Sequence, residues 1–204
     1  QLKDQVERIA FEHTKRVLGG TISIVFYYMT TLHFEASDED DLRRTGFSKV
    51  GRHRDPQIYL GLLVGLDGFA IGYDVFEGNI FEGHTLLPII QKYEEKYHLN
   101  KPVVIADAGL LSKDNISMLD SSGYKYIIGA RIKNESKHIK EKILDEEWID
   151  GHSINIKRGK RQRIIVSYSD RRAMKDMHNR QRGLTRLEKS LKRGRLTKAN
   201  INNR

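Results

Sequence analysis

The hydrophobic pattern at the start of the chain predicts a helix followed by a strand. Apolar residues recur at helical spacing before a pair of glycines, at Val6, Ile9, Ala10 and Val17. The stretch TISIVFYYMTTL, residues 21–32, is rich in β-branched and aromatic side chains, which favour a strand. Residues 36–56 are mostly polar and are therefore predicted to form a loop.

Further along, two apolar runs flank Asp67-Gly68, a dipeptide typical of tight β-hairpins. A helix is predicted next, with Thr85 as its cap. Its apolar face consists of Leu86, Ile89, Ile90, Tyr93 and Tyr97. The run KPVVIAD ends at Asp107 and is typical of a strand buried on both faces.

The remaining pattern extends this alternation of helices and strands. Ser112 or Asp114 can cap a short helix that ends near Gly123, before the strand YKYIIGARI. The order predicts an α/β fold, a mixed sheet flanked by helices. Residues 152–169 then predict a second hairpin, and residues 170–193 predict a polar, basic helix that Gly183 could interrupt.

Basic residues are concentrated in the last quarter of the chain. The formal net charge is +9, yet residues 151–204 hold 17 Lys and Arg against three acids. The first 150 residues are therefore mildly acidic overall. A strongly basic segment on an acidic body favours a polyanionic partner for that segment, although a solvated basic helix is the alternative.

The composition excludes several classes of protein and site. The chain has no cysteine, which excludes disulfides and cysteine-ligated zinc and suits a cytoplasmic protein. Its apolar runs are shorter than the 18 or so residues that a membrane span requires. The histidines lack a metal-ligand spacing with carboxylates, and Trp148 is most simply a packing residue. At 204 residues, the chain can form one domain with a substantial core and an appendage.

Asp107 is the strongest candidate for a catalytic residue. Open α/β sheets place their ligands at the carboxyl ends of parallel strands, and Asp107 ends such a predicted strand. The following AGLLSKDN supplies a glycine and a polar turn. A carboxylate in this position is as often a turn former as a catalyst.

Several long motifs carry a resemblance to a known family. PQIYLGLLVGLDGFAIGYDVFEGNIFEGHTLLPII, VVIADAGLLSKDNISML and YKYIIGARIK occur in this order. Together with GFSKVGRHRDPQ and the segment from Tyr168 onward, they resemble the catalytic domain of bacterial insertion-sequence transposases of the DDE type. The resemblance spans most of residues 20–204. It implies an RNase H-like fold, with a partial hairpin and helix insertion at the C-terminal end.

The resemblance implies DNA transposition with Mg²⁺ or Mn²⁺. In such enzymes three carboxylates hold two metal ions that promote attack on a phosphodiester. The second carboxylate of the family falls on Asp107. The first falls on Tyr28, and a phenol is a poor metal ligand because it ionises only far above neutral pH. This chain is therefore expected to be catalytically defective.

Substitutes for the two missing carboxylates are weak. Asp74, on the neighbouring strand of the first hairpin, and Glu35 are the alternatives to a carboxylate at Tyr28. The resemblance places the third carboxylate, a Glu on a later helix, beyond the end of this chain. Asp176 offers a substitute for it, although a solvated helix acid is its simpler interpretation.

DNA contact is expected from the basic C-terminal segment. The predicted DNA-binding residues are Arg158, Lys160, Arg161, Arg163, Arg171 and Arg172. Because few aromatic residues are interleaved there, we expect contact with phosphates rather than stacking on bases. The loop arginines Arg52 and Arg54 are equally well explained as DNA contacts or as an exposed basic loop.

The resemblance also implies a domain organisation and partners. Residues 1–20 are expected to be a truncated N-terminal helix, 21–150 a partial RNase H-like core, and 151–204 a truncated basic insertion. The expected partners are double-stranded DNA and a second copy in a DNA-bound homodimer, in a bacterial, nucleoid-associated setting. The alternatives are a non-catalytic DNA-binding module, a piece that associates with an intact transposase, and a decaying gene product that folds poorly.

Overall fold

A computed structural model describes residues 2–36, 38–48, 50–159 and 161–194. The chain divides into two compact units, residues 1–131 and residues 132–204. The predicted domain boundaries at 20/21 and 150/151 concern the organisation of the family and stay predictions.

The first unit is built on a five-stranded mixed sheet. Its strands are β1 (Ile24–His33), β2 (Gln57–Val64), β3 (Ala70–Glu77), β4 (Val103–Ala106) and β5 (Tyr126–Ile128). They lie in the order β3-β2-β1-β4-β5. β1, β2 and β3 are antiparallel neighbours, whereas β4 runs parallel to both β1 and β5. The predicted α/β fold with a mixed sheet is confirmed.

Three helices accompany the sheet: α1 (Leu2–Val17), α2 (Leu86–Tyr97) and α3 (Lys113–Ser121). Side chains from α1 and α2 share one core with alternate residues of the strands, including Phe11, Val25, Leu63, Tyr93 and Val104. The apolar face predicted for α2 is confirmed, because Leu86, Ile89, Ile90 and Tyr93 are buried. This core fixes which side chains of β1 and β4 point away from the helices.

The helix predicted at the start of the chain is confirmed as α1, but the apolar residues whose spacing predicted it do not form its buried side. Val6, Ile9 and Val17 are exposed, and the buried side is formed by Glu7, Phe11 and Thr14. Phe11 stacks on the ring of Tyr97 with centroids 3.9 Å apart, and the Thr14 hydroxyl donates to the carbonyl of Ala70 at 2.6 Å. Glu7 pairs with Lys96 at 2.7 Å. Buried polar side chains with specific partners therefore decide how α1 is rotated on the sheet.

The predicted turn at Asp67-Gly68 and the predicted helix cap at Ser112 are confirmed, whereas the predicted cap at Thr85 is wrong. Asp67 and Gly68 both adopt left-handed backbone conformations, with φ of 60° and 85°, and connect β2 to β3 as predicted. Ser112 caps α3 by accepting a hydrogen bond from the Asn115 amide. Thr85 precedes α2 but does not cap it, because its hydroxyl donates to the Glu82 carbonyl and accepts from the Tyr27 hydroxyl.

The second face of the sheet is only partly covered. Val104 and Ala106 of β4 are buried, but Val103 and Ile105 are half-buried, so burial of β4 on both faces is not observed. The neighbouring side chains on this face include the exposed Phe26, Tyr28, Leu32 and Ile127. This face carries the positions of catalytic interest.

The second unit contains α4 (Lys137–Leu144), the hairpin β6 (Ser153–Arg158) and β7 (Gln162–Ser167), and α5 (Asp170–Lys192). Its small core joins Ile139 to Ile156, Ile164 and Val166. The Trp148 indole donates to the Ile143 carbonyl at 2.8 Å, in line with a packing role. The predicted hairpin and basic helix are confirmed, and α5 is continuous through Gly183.

Within the described residues, none of the helices combines the length and apolar character that crossing a membrane requires.

Candidate functional site

Asp107 lies where β4 ends, at the carboxyl edge of the sheet. Its Oδ1 accepts a hydrogen bond from the Gly109 amide at 2.7 Å, which closes a short 3₁₀ turn over Ala108–Leu110. The side chain is exposed. Asp107 is therefore a turn former with an accessible carboxylate, and its catalytic role stays a prediction.

Tyr28 is the lateral neighbour of Asp107. The parallel register of β1 and β4 pairs Tyr27 with Ala106. Tyr28 directly follows Tyr27, and Asp107 directly follows Ala106. Adjacent strands lie about 4.8 Å apart, and successive side chains alternate between the two faces of a sheet. Tyr27 and Ala106 are buried towards the helices, so Tyr28 projects from the opposite face, where it is 59% exposed. A phenol stands beside Asp107 at the position expected for a carboxylate.

Two further charged residues border Asp107, and the sequence reading missed both. A Cβ placed on Gly109 would lie 2.9 Å from Asp107 Oδ1 and 3.4 Å from Glu82 Oε2, so the two carboxylates face the same glycine. Arg131 Nε donates to the Ala108 carbonyl at 3.0 Å. Arg131 follows β5 at the same sheet edge, a signal that could have identified it. Glu82 lies in a loop and gave no such signal.

Asp74 does not substitute for the missing carboxylate. Lys3 and Lys92 approach its carboxylate at 2.8 and 2.7 Å. Burial by itself would raise the pKa of Asp74, but the hydrogen bonds from Lys3 and Lys92 outweigh it, and the pKa is lowered. This ion-pair cluster fastens α1 and α2 to β3, which makes Asp74 a structural residue.

The other two acids considered from the sequence are also solvated ion-pair partners. Glu35 is exposed and lies 3.7 Å from Arg52. Asp176 accepts from Arg172 Nε at 3.4 Å on the surface of α5. The structure therefore gives neither residue a catalytic environment.

A two-metal site of the expected kind does not fit these residues. Two-metal chemistry requires several carboxylates around both ions. In the part of the chain that the structure describes, groups of three or more His, Asp or Glu that could hold a metal ion are absent. The resemblance leads us to expect a carboxylate at position 28, and the phenol of Tyr28 supplies none.

The exposed face of the β6–β7 hairpin is cationic. Lys157 and Arg163 are direct cross-strand partners, and both are exposed. Like charges directly opposite one another are destabilising, so this pair favours a bound polyanion. Arg161 is exposed, whereas Arg158 lies 3.5 Å from the buried carboxylate of Glu135, which ties it to the core of its own unit. Lys160 lies outside the described residues.

Helix α5 presents a cationic stripe. With about 100° between successive residues, one face collects the cations Arg171, Lys175, Arg182, Arg186 and Lys189, and His178 lies among them. Arg172, which was also predicted to bind DNA, lies a quarter-turn away and pairs with Asp176. All these side chains are exposed. Over its 23 residues the helix is about 34 Å long, close to one turn of B-DNA.

The opposite face of α5 carries five large apolar side chains around Arg180, which the description as a polar helix missed. The exposed residues of this apolar stripe are Met174, Met177, Leu184, Leu187 and Leu191. None of the residues of α5 is buried. The helix is therefore amphipathic, with its cationic and apolar stripes on opposite sides.

Residues 33–200 match the family model described as "Transposase DDE domain". No curated protein matches the chain.

Among solved structures, the chain is similar to the piggyBac transposase in its synaptic complex with hairpin DNA. That likeness has 12% identity and a TM-score of 0.48, and covers 74% of this chain and 31% of the other. The Mos1 transposase paired-end complex with left transposon end is 12% identical with a TM-score of 0.36, covering 70% and 52%. The Mos1 mariner paired-end complex with Mn is 12% identical with a TM-score of 0.34, covering 61% and 40%. The chain thus spans a third to a half of these proteins.

Proposed function

Because this chain belongs to the transposase DDE domain family, we propose that it is a DNA-binding transposase segment that does not cleave DNA. Its proposed partner is double-stranded DNA, and its proposed contacts are electrostatic. In this proposal Asp107 is the one carboxylate of the family's catalytic set that the chain retains. The metal-dependent cleavage of DNA that the full set supports is lost.

The observation that carries this proposal is the position of Tyr28 beside Asp107. Their strands are parallel neighbours, and their side chains share the face that points away from the helical core. Mg²⁺ and Mn²⁺ prefer hard oxygen ligands such as carboxylates. A neutral phenol at this point neither neutralises nor orients an ion, and its ring occupies space over the edge of the sheet.

The proposed DNA contacts are the cationic stripe of α5 and the Lys157–Arg163 pair. The stripe follows a straight line of about 34 Å, so it can follow phosphates over about one helical turn. Lysine and arginine on phosphates give affinity without base recognition. Each phosphate neutralised adds about 0.9 to the slope of log affinity against log salt.

The proposal predicts binding without cleavage. Fluorescence anisotropy with a 30-base-pair duplex should show affinity that falls steeply with salt and does not change when Mg²⁺ is replaced by EDTA. A supercoiled plasmid incubated with the chain and Mn²⁺ should stay supercoiled. Nicking by the purified chain that disappears in Asp107→Asn would overturn the loss of catalysis. Binding that is too weak to detect at low salt would overturn the DNA-binding role.

A second candidate function is assembly with a second copy of the chain. The observation that favours it is the apolar stripe of α5, which leaves five large apolar side chains exposed on one helix face. Sedimentation equilibrium of the wild-type chain and of a Met177→Gln/Leu184→Gln variant tests it. Association should be present in the wild type and lost in the variant, and a monomeric wild type at all concentrations would refute it.

A further inference from the structure

Two loops and a turn of the first unit form a continuous surface along the sheet edge that carries Asp107. We call this surface the rim: residues 44–48 and 50–54 of one loop, residues 78–84 of the other, and the turn 107–110. Gly46 lies against Gly78, since a Cβ on Gly46 would be 2.2 Å from the Gly78 carbonyl. At the other end, Glu82 and Asp107 both face Gly109. The three segments are therefore neighbours in space as well as at the same edge.

The rim exposes two phenylalanine rings. Phe47 is 69% exposed and Phe81 is 58% exposed. Each ring has one aromatic neighbour, because Phe47 lies 6.1 Å from the His53 ring and Phe81 lies 5.3 Å from the His84 ring. Neither ring belongs to the hydrophobic core of the first unit. Two exposed aromatic side chains on one edge mark an interaction surface.

The backbone that presents Phe47 is held by buried side chains. The Phe47 carbonyl accepts hydrogen bonds from Gln57 Nε2 at 3.1 Å and from the Tyr59 hydroxyl at 3.3 Å. Gln57 also donates to the Gly78 carbonyl at 2.7 Å, which joins the two loops. Gln57 and Tyr59 are both buried. Hydrogen bonds from buried side chains thus hold the backbone of the loop around Phe47 in place, while the Phe47 ring stays exposed to solvent. A loop that is already ordered loses less conformational entropy when it binds a ligand.

The charges beside Phe47 favour a nucleic acid. Arg52 and Arg54 are exposed, and Arg52 lies 3.7 Å from both Glu35 and Asp55. Arg54 has no ion-pair partner among the residues that the structure describes. Arg54 follows His53, whose ring lies 6.1 Å from the ring of Phe47. Proteins that bind single strands combine aromatic rings, on which bases stack, with basic side chains that follow the phosphates. A second aromatic ring stands one residue before Glu82, next to Asp107.

We infer that the rim binds unpaired bases of locally opened DNA through Phe47 and Phe81, with Arg54 on the adjacent phosphate. This inference rests on the proposed DNA-binding function and deepens it, because it adds base stacking and one phosphate contact by the first unit to the phosphate contacts proposed for the second. The chemistry of the ligand is a single-stranded or unstacked stretch of DNA. A continuous, matched duplex offers no free base faces to these rings.

The test compares two DNA ligands on the full chain. One is a 30-base-pair duplex, and the other is the same duplex with a central four-nucleotide mismatch bubble that contains 2-aminopurine. The wild type should bind the bubble more tightly. Phe47→Ala and Phe81→Ala should each weaken bubble binding by about fivefold to about 150-fold and leave duplex binding unchanged. Arg54→Gln should weaken binding to both ligands and reduce the salt slope by about 0.9.

The controls separate stacking from general effects. Leu144→Ala removes an exposed apolar side chain from the second unit and should leave the preference for the bubble intact. Phe47→Trp keeps an aromatic face and should retain the preference, with a matching change in 2-aminopurine fluorescence. Circular dichroism and thermal unfolding should show all variants folded, because the substituted side chains are exposed.

Three results would overturn the inference. The first is a wild type that binds duplex and bubble equally, which leaves the proposed DNA-binding function intact. The second is an alanine variant of either phenylalanine with wild-type affinity for the bubble. The third is a change in self-association with unchanged DNA binding, which would make the rim a protein-binding surface. A wild type that binds neither ligand would refute the proposed function and the inference together.

Discussion

Tyr28 and Asp107 lie side by side where the parallel pairing of β1 with β4 ends, one residue beyond the paired Tyr27 and Ala106. Because of this position, Tyr28 determines whether Asp107 has a neighbouring ligand with which to bind a metal ion. If Tyr28 occupies the place of a metal ligand, restoring a carboxylate there should restore part of a metal site.

We therefore expect Tyr28→Asp to bind Mn²⁺ more tightly than the wild type by about tenfold, at least as much as an outer-shell partner contributes. Isothermal titration calorimetry measures the affinities. Tyr28→Phe keeps the ring and removes the hydroxyl, so it should behave as the wild type does. The gain should vanish when Asp107→Asn is added, and plasmid nicking should stay absent throughout. Equal Mn²⁺ affinity in the wild type and in Tyr28→Asp would show that this position is not a metal site.

The Asp74 ion-pair cluster should make stability depend on pH. The pKa of the Asp74 carboxyl is lowered despite partial burial, because Lys3 and Lys92 donate hydrogen bonds to its charged form. A lowered pKa contributes stability above the unfolded-state value of about 3.9, and this stability is lost as pH falls through the folded-state pKa. Asp74→Asn should therefore reduce the free energy of unfolding by about 1–2 kcal/mol at pH 7. Urea denaturation at pH 7, 5 and 3 should show the difference shrinking towards pH 3, and a pH-independent difference would contradict the ion-pair explanation.

The buried carboxylate of Glu7 depends on Lys96. Lys96 Nζ lies 2.7 Å from Glu7 Oε2 and 2.8 Å from Asp4 Oδ1, and these two carboxylates raise the pKa of Lys96. Lys96→Met leaves a buried charge without its main partner and should cost about 3 kcal/mol. The double variant Glu7→Met/Lys96→Met removes both charges and should be more stable than Lys96→Met alone. Thermal unfolding of the three proteins measures this, and a double variant that is less stable than the single one would refute the explanation.

The cationic stripe of α5 should determine the salt dependence of DNA binding. Arg182→Gln/Arg186→Gln removes two neighbouring cations of the stripe, so the slope of log affinity against log salt should fall by about 2. Arg172→Gln is the matched control, because Arg172 lies off the stripe and pairs with Asp176 at 3.4 Å. Anisotropy titrations at four salt concentrations give the slopes. Equal slopes for the double variant and the control would place the DNA elsewhere on the protein.

Local sequence patterns determined which elements this chain forms. The turn at Asp67-Gly68, the Ser112 cap and the apolar face of α2 depend on residues close together in sequence, so their outcome could be predicted. The run ending at Asp107 identified the sheet edge of interest, and the motifs that resemble transposases identified the family. The same resemblance identified Tyr28 as the residue at the position of the family's first carboxylate.

The tertiary structure decided the rest, because those features depend on residues distant in sequence. The rotation of α1 follows from partners on α2 and β3, with Glu7 bonded to Lys96 and Thr14 to the Ala70 carbonyl. The same holds for Asp74, whose lysines come from two different helices, and for Glu82, which a loop brings to Asp107. Hydrophobic periodicity reports which residues could be buried, but only packing against a specific neighbour decides which of them are. Asp107 and Tyr28 could thus be found from the sequence, whereas the carboxylate of Glu82 and the guanidinium of Arg131 were placed beside Asp107 by the fold.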